Sequence, residues 1–210
     1  MKVYKLPETI SALIFDLDLT LYTSPEYGKV QNASLVERLG KTMGKSFAEM
    51  DKEINEYRRF FAASCGGEKP SLSAVLLHYG ISMAENVRWR EEAYEPALFL
   101  GEDSRLGETL RELSASYALG VVTNNPVLVA RKTLAALGVE HYFGPLVGLD
   151  TCMAAKPQRL PFAKMTELLG CRAETCVSIG DRYDIDLALP LEMGMGGILV
   201  DGVEDVYRLP

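Results

Sequence analysis

Ser11-Ala-Leu-Ile-Phe-Asp16-Leu-Asp18-Leu-Thr20 is the stretch on which the fold turns. Its front half, Ser11–Phe15, carries no charge and reads as a strand buried on both faces. It runs directly into two carboxylates separated by one residue. Further along the chain, short apolar runs with β-branched content recur at Ala118–Val122, Leu146–Leu149, Cys176–Ile179 and Gly197–Val200. Helical patterns lie between them. Leu106, Leu110 and Leu113 form one face; Val127, Ala130, Leu134 and Leu137 a second, closed by Gly138; and Phe162, Met165 and Leu169 a third, closed by Gly170. Strand alternating with helix in this way predicts an α/β fold built on an open parallel sheet covered by helices.

The first strand stands apart, because the next one comes only after Ser116. The segment between is helical in pattern throughout. Phe47, Met50, Ile54, Tyr57 and Phe61 repeat at three-four-three-four, and Leu72, Val75, Leu76 and Tyr79 give a second face ended by Gly80. CGGEKP (Cys65–Pro70) between them is the clearest loop signal in the chain. Residues 22–97 are therefore expected to form a small all-helical insertion, leaving residues 1–21 and 98–210 as the core. The glycines at Gly194, Gly196 and Gly197 follow a helix and precede a strand, the reverse of a dinucleotide-binding order, and read as a loop.

With 210 residues the chain is long enough for one core and a modest insertion. Lys and Arg number 22 against 29 Asp and Glu, a formal net charge of -7. That balance argues against nucleic-acid binding, which needs a positive field along one face. Cys65, Cys152, Cys171 and Cys176 form no CxxC pair and are expected to be reduced thiols. No apolar run is long enough to span a bilayer, and MKVYKLPETI has no signal-like h-region. A cytoplasmic protein without a membrane partner is the expectation; no feature fixes an oligomeric state.

In open parallel sheets, ligands sit at the carboxyl ends of the strands. There the sequence places Asp16 and Asp18, then Thr123-Asn124-Asn125, then Lys156-Pro157, and finally Gly180-Asp181 with Asp184 and Asp186 behind it. Carboxylate and carbonyl oxygens suit Mg²⁺, so Asp16 and Asp181 are candidates to hold it. A carboxylate can also attack phosphorus, and a second one two residues along can protonate the leaving oxygen and then activate water. Lys156 would offset the charge of the nucleophile and the transferring group, while Thr123 and backbone N–H groups, Asn124 included, would hold phosphoryl oxygens. Taken singly, each fragment has an ordinary structural reading. Asp favours strand-to-loop transitions, and Asn125 with Pro126 reads as an N-cap followed by N1. Their occurrence together, in this order, is what points to phosphoryl chemistry.

These residues resemble the haloacid dehalogenase superfamily of phosphatases. Asp16-Leu17-Asp18-Leu19-Thr20 matches its DxDxT motif, Thr123 and Lys156 its second and third, and Gly180-Asp181 with Asp186 its fourth. The resemblance covers residues 10 to 200 and implies a Rossmann-like core with helices on both faces and a helical cap. It implies Asp16 as nucleophile, Asp18 as general acid/base, and Mg²⁺ held by the Asp16 carboxylate, the Asp18 backbone carbonyl and Asp181. Asp186 would orient that shell, with Asp184 a possible substitute. The implied substrate is a small soluble phosphomonoester, such as a nucleoside monophosphate, a sugar phosphate or a phosphoglycolate-like compound, and the cap would close over the site to exclude water.

Two positions depart from the family pattern. Leu19 stands where Asn or Gly is usual, and an ordinary backbone conformation is expected there. Asn124 replaces a frequent Ser, a change expected to matter little if the backbone N–H does the binding. The alternatives are a phosphomutase of the β-phosphoglucomutase kind and a catalytically idle binding protein. His78 and His141 are isolated and read as helix-end or surface residues, and Trp89 as packing within the insertion.

Overall fold

The computed structural model describes residues 1–64, 67 and 69–209. Of the loop expected over Cys65–Pro70, Cys65, Gly66 and Glu68 lie outside the described residues. Contacts divide the chain into two compact units, Met1–Ser24 with Glu95–Pro210, and Pro25–Tyr94.

The first unit is built on a six-stranded sheet of β1 (Lys2–Lys5), β2 (Ala12–Phe15), β3 (Ala118–Val122), β4 (Leu146–Val147), β5 (Cys176–Gly180) and β6 (Gly196–Leu199). Their order is β1-β6-β5-β2-β3-β4, which puts β2 and β5 in the middle. Every pair is parallel except β1 with β6, so the sheet is parallel with one antiparallel edge. The apolar runs foretell the five parallel strands but not β1, whose four residues are all exposed and carry no burial pattern. Leu146–Leu149 is only half strand, because Leu149 already begins a helix.

The second unit consists of α1 (Pro25–Met43), α2 (Phe47–Ser64), α3 (Leu72–His78) and α4 (Met83–Ala93). The long stripe on α2 narrows in practice. Met50 and Ile54 are buried, whereas Phe47 is exposed. Ser82 and Glu85 close a reciprocal capping box at the start of α4. Arg90, buried on the same helix, donates to Asn86 Oδ1 at 2.8 Å and to Ser73 Oγ of α3 at 3.3 Å. Trp89 is buried, with Arg38 of α1 over its ring. Thus one helix, through adjacent residues, ties down two others. No helix among the described residues is long and apolar enough to cross a membrane.

The remaining helices, α5 (Ser104–Ser114), α6 (Val127–Ala136), α7 (Leu149–Cys152), α8 (Arg159–Leu169), α9 (Ala188–Glu192) and α10 (Val203–Val206), belong to the sheet unit. Alternate residues of a strand face opposite ways, and both faces are covered. Ala12 and Ile14 of β2 pack in one cluster with Phe162 and Met165 of α8. Leu13 of β2 with Val177 and Ile179 of β5 lines a small apolar cavity together with Leu113 of α5. Burying such side chains stabilises by about 1.5–3 kcal/mol each, and here they fix the level at which every parallel strand ends. α6 starts later than expected: Pro126 takes the N-cap position and Val127 is the first helical residue. Pro126 has no side-chain donor or acceptor, so the cap comes from elsewhere. The carboxylate of Asp150 accepts the Val127 N–H at 2.9 Å.

Candidate active site

Register brings the motif residues together. Phe15 of β2 lies opposite Ile179 of β5 and Val121 of β3, so all three strands run out at one edge. The residues that follow, Asp16, Thr123-Asn124 and Asp181, emerge side by side. The Asp16 N–H is anchored on the carbonyl of Ile179 at 2.8 Å. Leu17 is fully buried, and it separates two partly exposed aspartates, Asp16 and Asp18.

Lys156 is the centre of this group. Its side chain is 2% exposed, and Nζ donates to Asp16 Oδ1 and Asp186 Oδ1, each at 2.6 Å. Burial alone would lower the Lys156 pKa. The charges of Asp16 and Asp186 override burial and leave it raised, so the ammonium is kept charged. Asn124 holds the lysine's backbone in a reciprocal clasp: Oδ1 accepts the Lys156 N–H at 2.7 Å, and Nδ2 donates to the Lys156 carbonyl at 3.2 Å. The side chain of Asn124 therefore positions Lys156, work for which its sequence position gave no signal.

Asp186 is fixed as tightly. The Arg182 N–H donates to its Oδ2 at 3.0 Å, and Ser178 Oγ donates to its backbone carbonyl at 2.7 Å. A π-helical turn over Tyr183–Leu187 carries it inward. Gly180 makes the approach possible, since a Cβ there would meet the Asp186 Cβ at 2.4 Å. Asp184 goes elsewhere; it pairs with the guanidinium of Arg182 at 2.5 Å.

Oxygens of Asp16, Asp181 and Asp186 lie within 4.8 Å of one another. Three carboxylates thus share one ammonium. Burial, followed by the neighbouring carboxylates, pushes Asp181 up to about 7. Burial also pushes Asp186 up to about 6 and raises Asp16, against the pull of Lys156. An all-oxygen donor set with this surplus of negative charge fits a hard divalent cation such as Mg²⁺.

Asp18 faces different partners. Its Oδ1 accepts the Tyr22 hydroxyl and its Oδ2 accepts Asn125 Nδ2 at 2.6 Å. Thr123, buried, accepts the Asn125 N–H on its own hydroxyl at 3.2 Å. In the sequence Tyr22 only closes the Asp18–Tyr22 run and Asn125 reads as an N-cap; that both reach Asp18 depends on a turn for the first and on a contact across 107 residues for the second. That turn also overturns the expectation for Leu19. The N–H groups of Thr20 and Leu21 both reach back to the Leu17 carbonyl, and Leu19 is forced to φ 59, the left-handed region. A leucine there is strained by about 1–2 kcal/mol. Its side chain is 42% exposed.

Comparison with known proteins bears on the family and the fold. The profile of the family described as "Haloacid dehalogenase-like hydrolase" matches residues 13–200. The chain is 27% identical over 206 residues to a glyceraldehyde 3-phosphate phosphatase of Methanothermobacter thermautotrophicus, covering 91% of this chain and 86% of the relative. It is 28% identical over 177 residues to a phosphoglycolate phosphatase of Xanthomonas campestris pv. campestris, covering 81% and 74%. Among solved structures, a HAD phosphatase from Thermococcus onnurineus superposes with a TM-score of 0.60 at 21% identity, over 91% of this chain and 86% of that one.

Two outcomes are expected from this geometry. Leu19→Asn places a residue that tolerates φ > 0 and should raise stability by about 1 kcal/mol in denaturant unfolding; a loss of that size would mean the leucine is held by packing. The second concerns pH. A carboxyl raised on folding contributes stability below its ordinary range and loses it as pH rises through 6 to 7, the values of Asp186 and Asp181. Cation binding must displace the same protons, so the Mg²⁺-induced rise in Tm should grow between about pH 5 and pH 8. Asp181→Asn should flatten that growth. An equal rise at both ends of the range would contradict the assignment of these groups.

Proposed function

The chain belongs to the haloacid dehalogenase-like hydrolase family, its relatives support an enzyme that hydrolyses phosphoric monoesters, and from that premise we propose a Mg²⁺-dependent phosphatase of small phosphomonoesters working through an aspartyl-phosphate. The observation that carries the proposal is the pairing of Asp16 with buried Lys156, two residues before Asp18.

In this reading Asp16 attacks phosphorus with a carboxylate oxygen. The new O–P bond forms as the ester O–P bond breaks, and Asp18 passes its proton to the departing alcohol oxygen. Asp18 then takes a proton from water, whose oxygen attacks the phosphorus. The Asp16–phosphate bond breaks and inorganic phosphate leaves with the carboxylate restored. Lys156 holds the attacking carboxylate in place and offsets the charge that gathers on the phosphoryl oxygens. Thr123 and the backbone N–H of Asn124 are assigned to those oxygens. Asp16, Asp181 and the backbone carbonyl of Asp18 would hold Mg²⁺, with Asp186 orienting Lys156. When bound, the ion neutralises charge between nucleophile and phosphate.

Phosphoglycolate and glyceraldehyde 3-phosphate are the substrates named for the relatives, and small esters of that class belong first in any panel, beside nucleoside monophosphates and sugar phosphates. Phosphate release that requires Mg²⁺ and stops with EDTA is the expected result. Asp16→Asn is nearly isosteric and should lower kcat at least about 10³-fold with the fold unchanged by circular dichroism. Turnover of that variant at the parent rate would remove the nucleophile from the proposal. Interconversion of sugar phosphates without net release would replace hydrolysis by a mutase reaction.

A further inference from the structure

Asp18 is held more completely than a proton-transfer group needs for folding alone. Each of its two oxygens accepts a hydrogen bond from a buried residue on a different segment, Tyr22 through its hydroxyl and Asn125 through Nδ2 at 2.6 Å. Both donors are themselves preset. Tyr22, 4% exposed, is folded back onto Asp18 by the turn on the Leu17 carbonyl, and the two residues form a bridge. Asn125, 1% exposed, has its N–H on Thr123 Oγ1 and its carbonyl on the Leu149 N–H at 3.0 Å. Gly148 leaves the space for that last bond, since a Cβ there would stand 2.5 Å from the Asn125 oxygen.

We propose that Tyr22 and Asn125 are positioning residues that fix the plane of the Asp18 carboxyl group, so that one oxygen is presented to the ester oxygen of the substrate. The inference rests on the reading of Asp18 as the group that moves the proton. Two donors from two segments leave the carboxyl no free rotation about its terminal bond. Removing either donor frees that rotation, and the fraction of encounters in which the proton is correctly placed falls. The effect is confined to reactions in which the leaving oxygen needs a proton. An alkyl phosphate expels an alkoxide and depends on Asp18; p-nitrophenyl phosphate expels a stable phenolate and does not.

The test compares kcat/KM for an alkyl phosphate and for p-nitrophenyl phosphate, because kcat/KM reports steps up to the first phosphoryl transfer. Tyr22→Phe deletes one hydroxyl and keeps the ring. It should lower kcat/KM for the alkyl ester by about 10- to 100-fold, within the range that general acid catalysis supplies, and at least about tenfold less for the aryl ester. Asn125→Ala, acting on the other oxygen, should give the same split, so a folding failure of one variant leaves the other to decide. Equal losses on both esters would mean a structural role and would overturn the proposal, as would no loss on either. Asp18→Asn is the control. If it shows the leaving-group split and Tyr22→Phe and Asn125→Ala do not, the positioning inference alone fails. If Asp18→Asn shows no split, or the parent enzyme releases no phosphate, the reading of Asp18 fails and the inference with it.

Discussion

The structure of the site depends on one buried cation. Lys156 stands between Asp16 and Asp186 with 2.6 Å bonds to both, and its charge is what lets carboxylates lie so close in a largely desolvated place. A buried ion pair is weak evidence for stability, because desolvating the charges offsets most of their attraction. It is strong evidence for placement. The ammonium fixes one oxygen of Asp16, and three carboxyls with pKa values raised by burial and by one another leave the group short of positive charge. A divalent cation is the chemical complement of that deficit.

The rest of the core serves this arrangement. Parallel pairing of β2 with both β3 and β5 ends the three strands at one level, with β2 packed against α8 on one face and an apolar cavity lined by β2, β5 and α5 on the other. Local devices then set each side chain. Asn124 clasps the backbone of Lys156, Gly180 admits Asp186, and the left-handed Leu19 closes the turn that returns Tyr22 to Asp18. Strain at Leu19 is the counterpart of that turn, in keeping with the tendency of functional sites to hold backbone conformations that isolated residues avoid.

Much of this is legible in the sequence, and the reasons for what is not are physical. Buried parallel strands announce themselves as uninterrupted apolar runs, so Ser11–Phe15 and Cys176–Ile179 could be recognised, and with them the carboxylates at their ends. Edge strand β1 makes one pairing and faces solvent, hence Lys2–Lys5 leave no pattern. The Leu19 conformation is imposed by hydrogen bonds to Leu17 against the preference of the side chain, so reasoning from propensity gave the wrong answer. Asn125, which reads as an N-cap, and Asp150 give no sign in the sequence of the bonds they make, for a different reason. Their partners, Asp18 and the Val127 N–H, are distant in the chain, and no local spacing encodes such a pairing. Residue types and strand ends could be read in advance; the bonds between segments that aim them could not.

The central claim is that Asp16 becomes covalently phosphorylated, and the most direct measurement is to catch it. The protein with Mg²⁺ and p-nitrophenyl phosphate, quenched in acid during turnover and digested, should yield a phosphoryl group on the peptide that carries Asp16. Tandem mass spectrometry should assign it to that residue, hydroxylamine should remove it, and Asp18→Asn should increase it by slowing its hydrolysis. Turnover at the full rate with no trapped phosphoryl group in either protein, or a phosphoryl group assigned to another residue, would contradict the account.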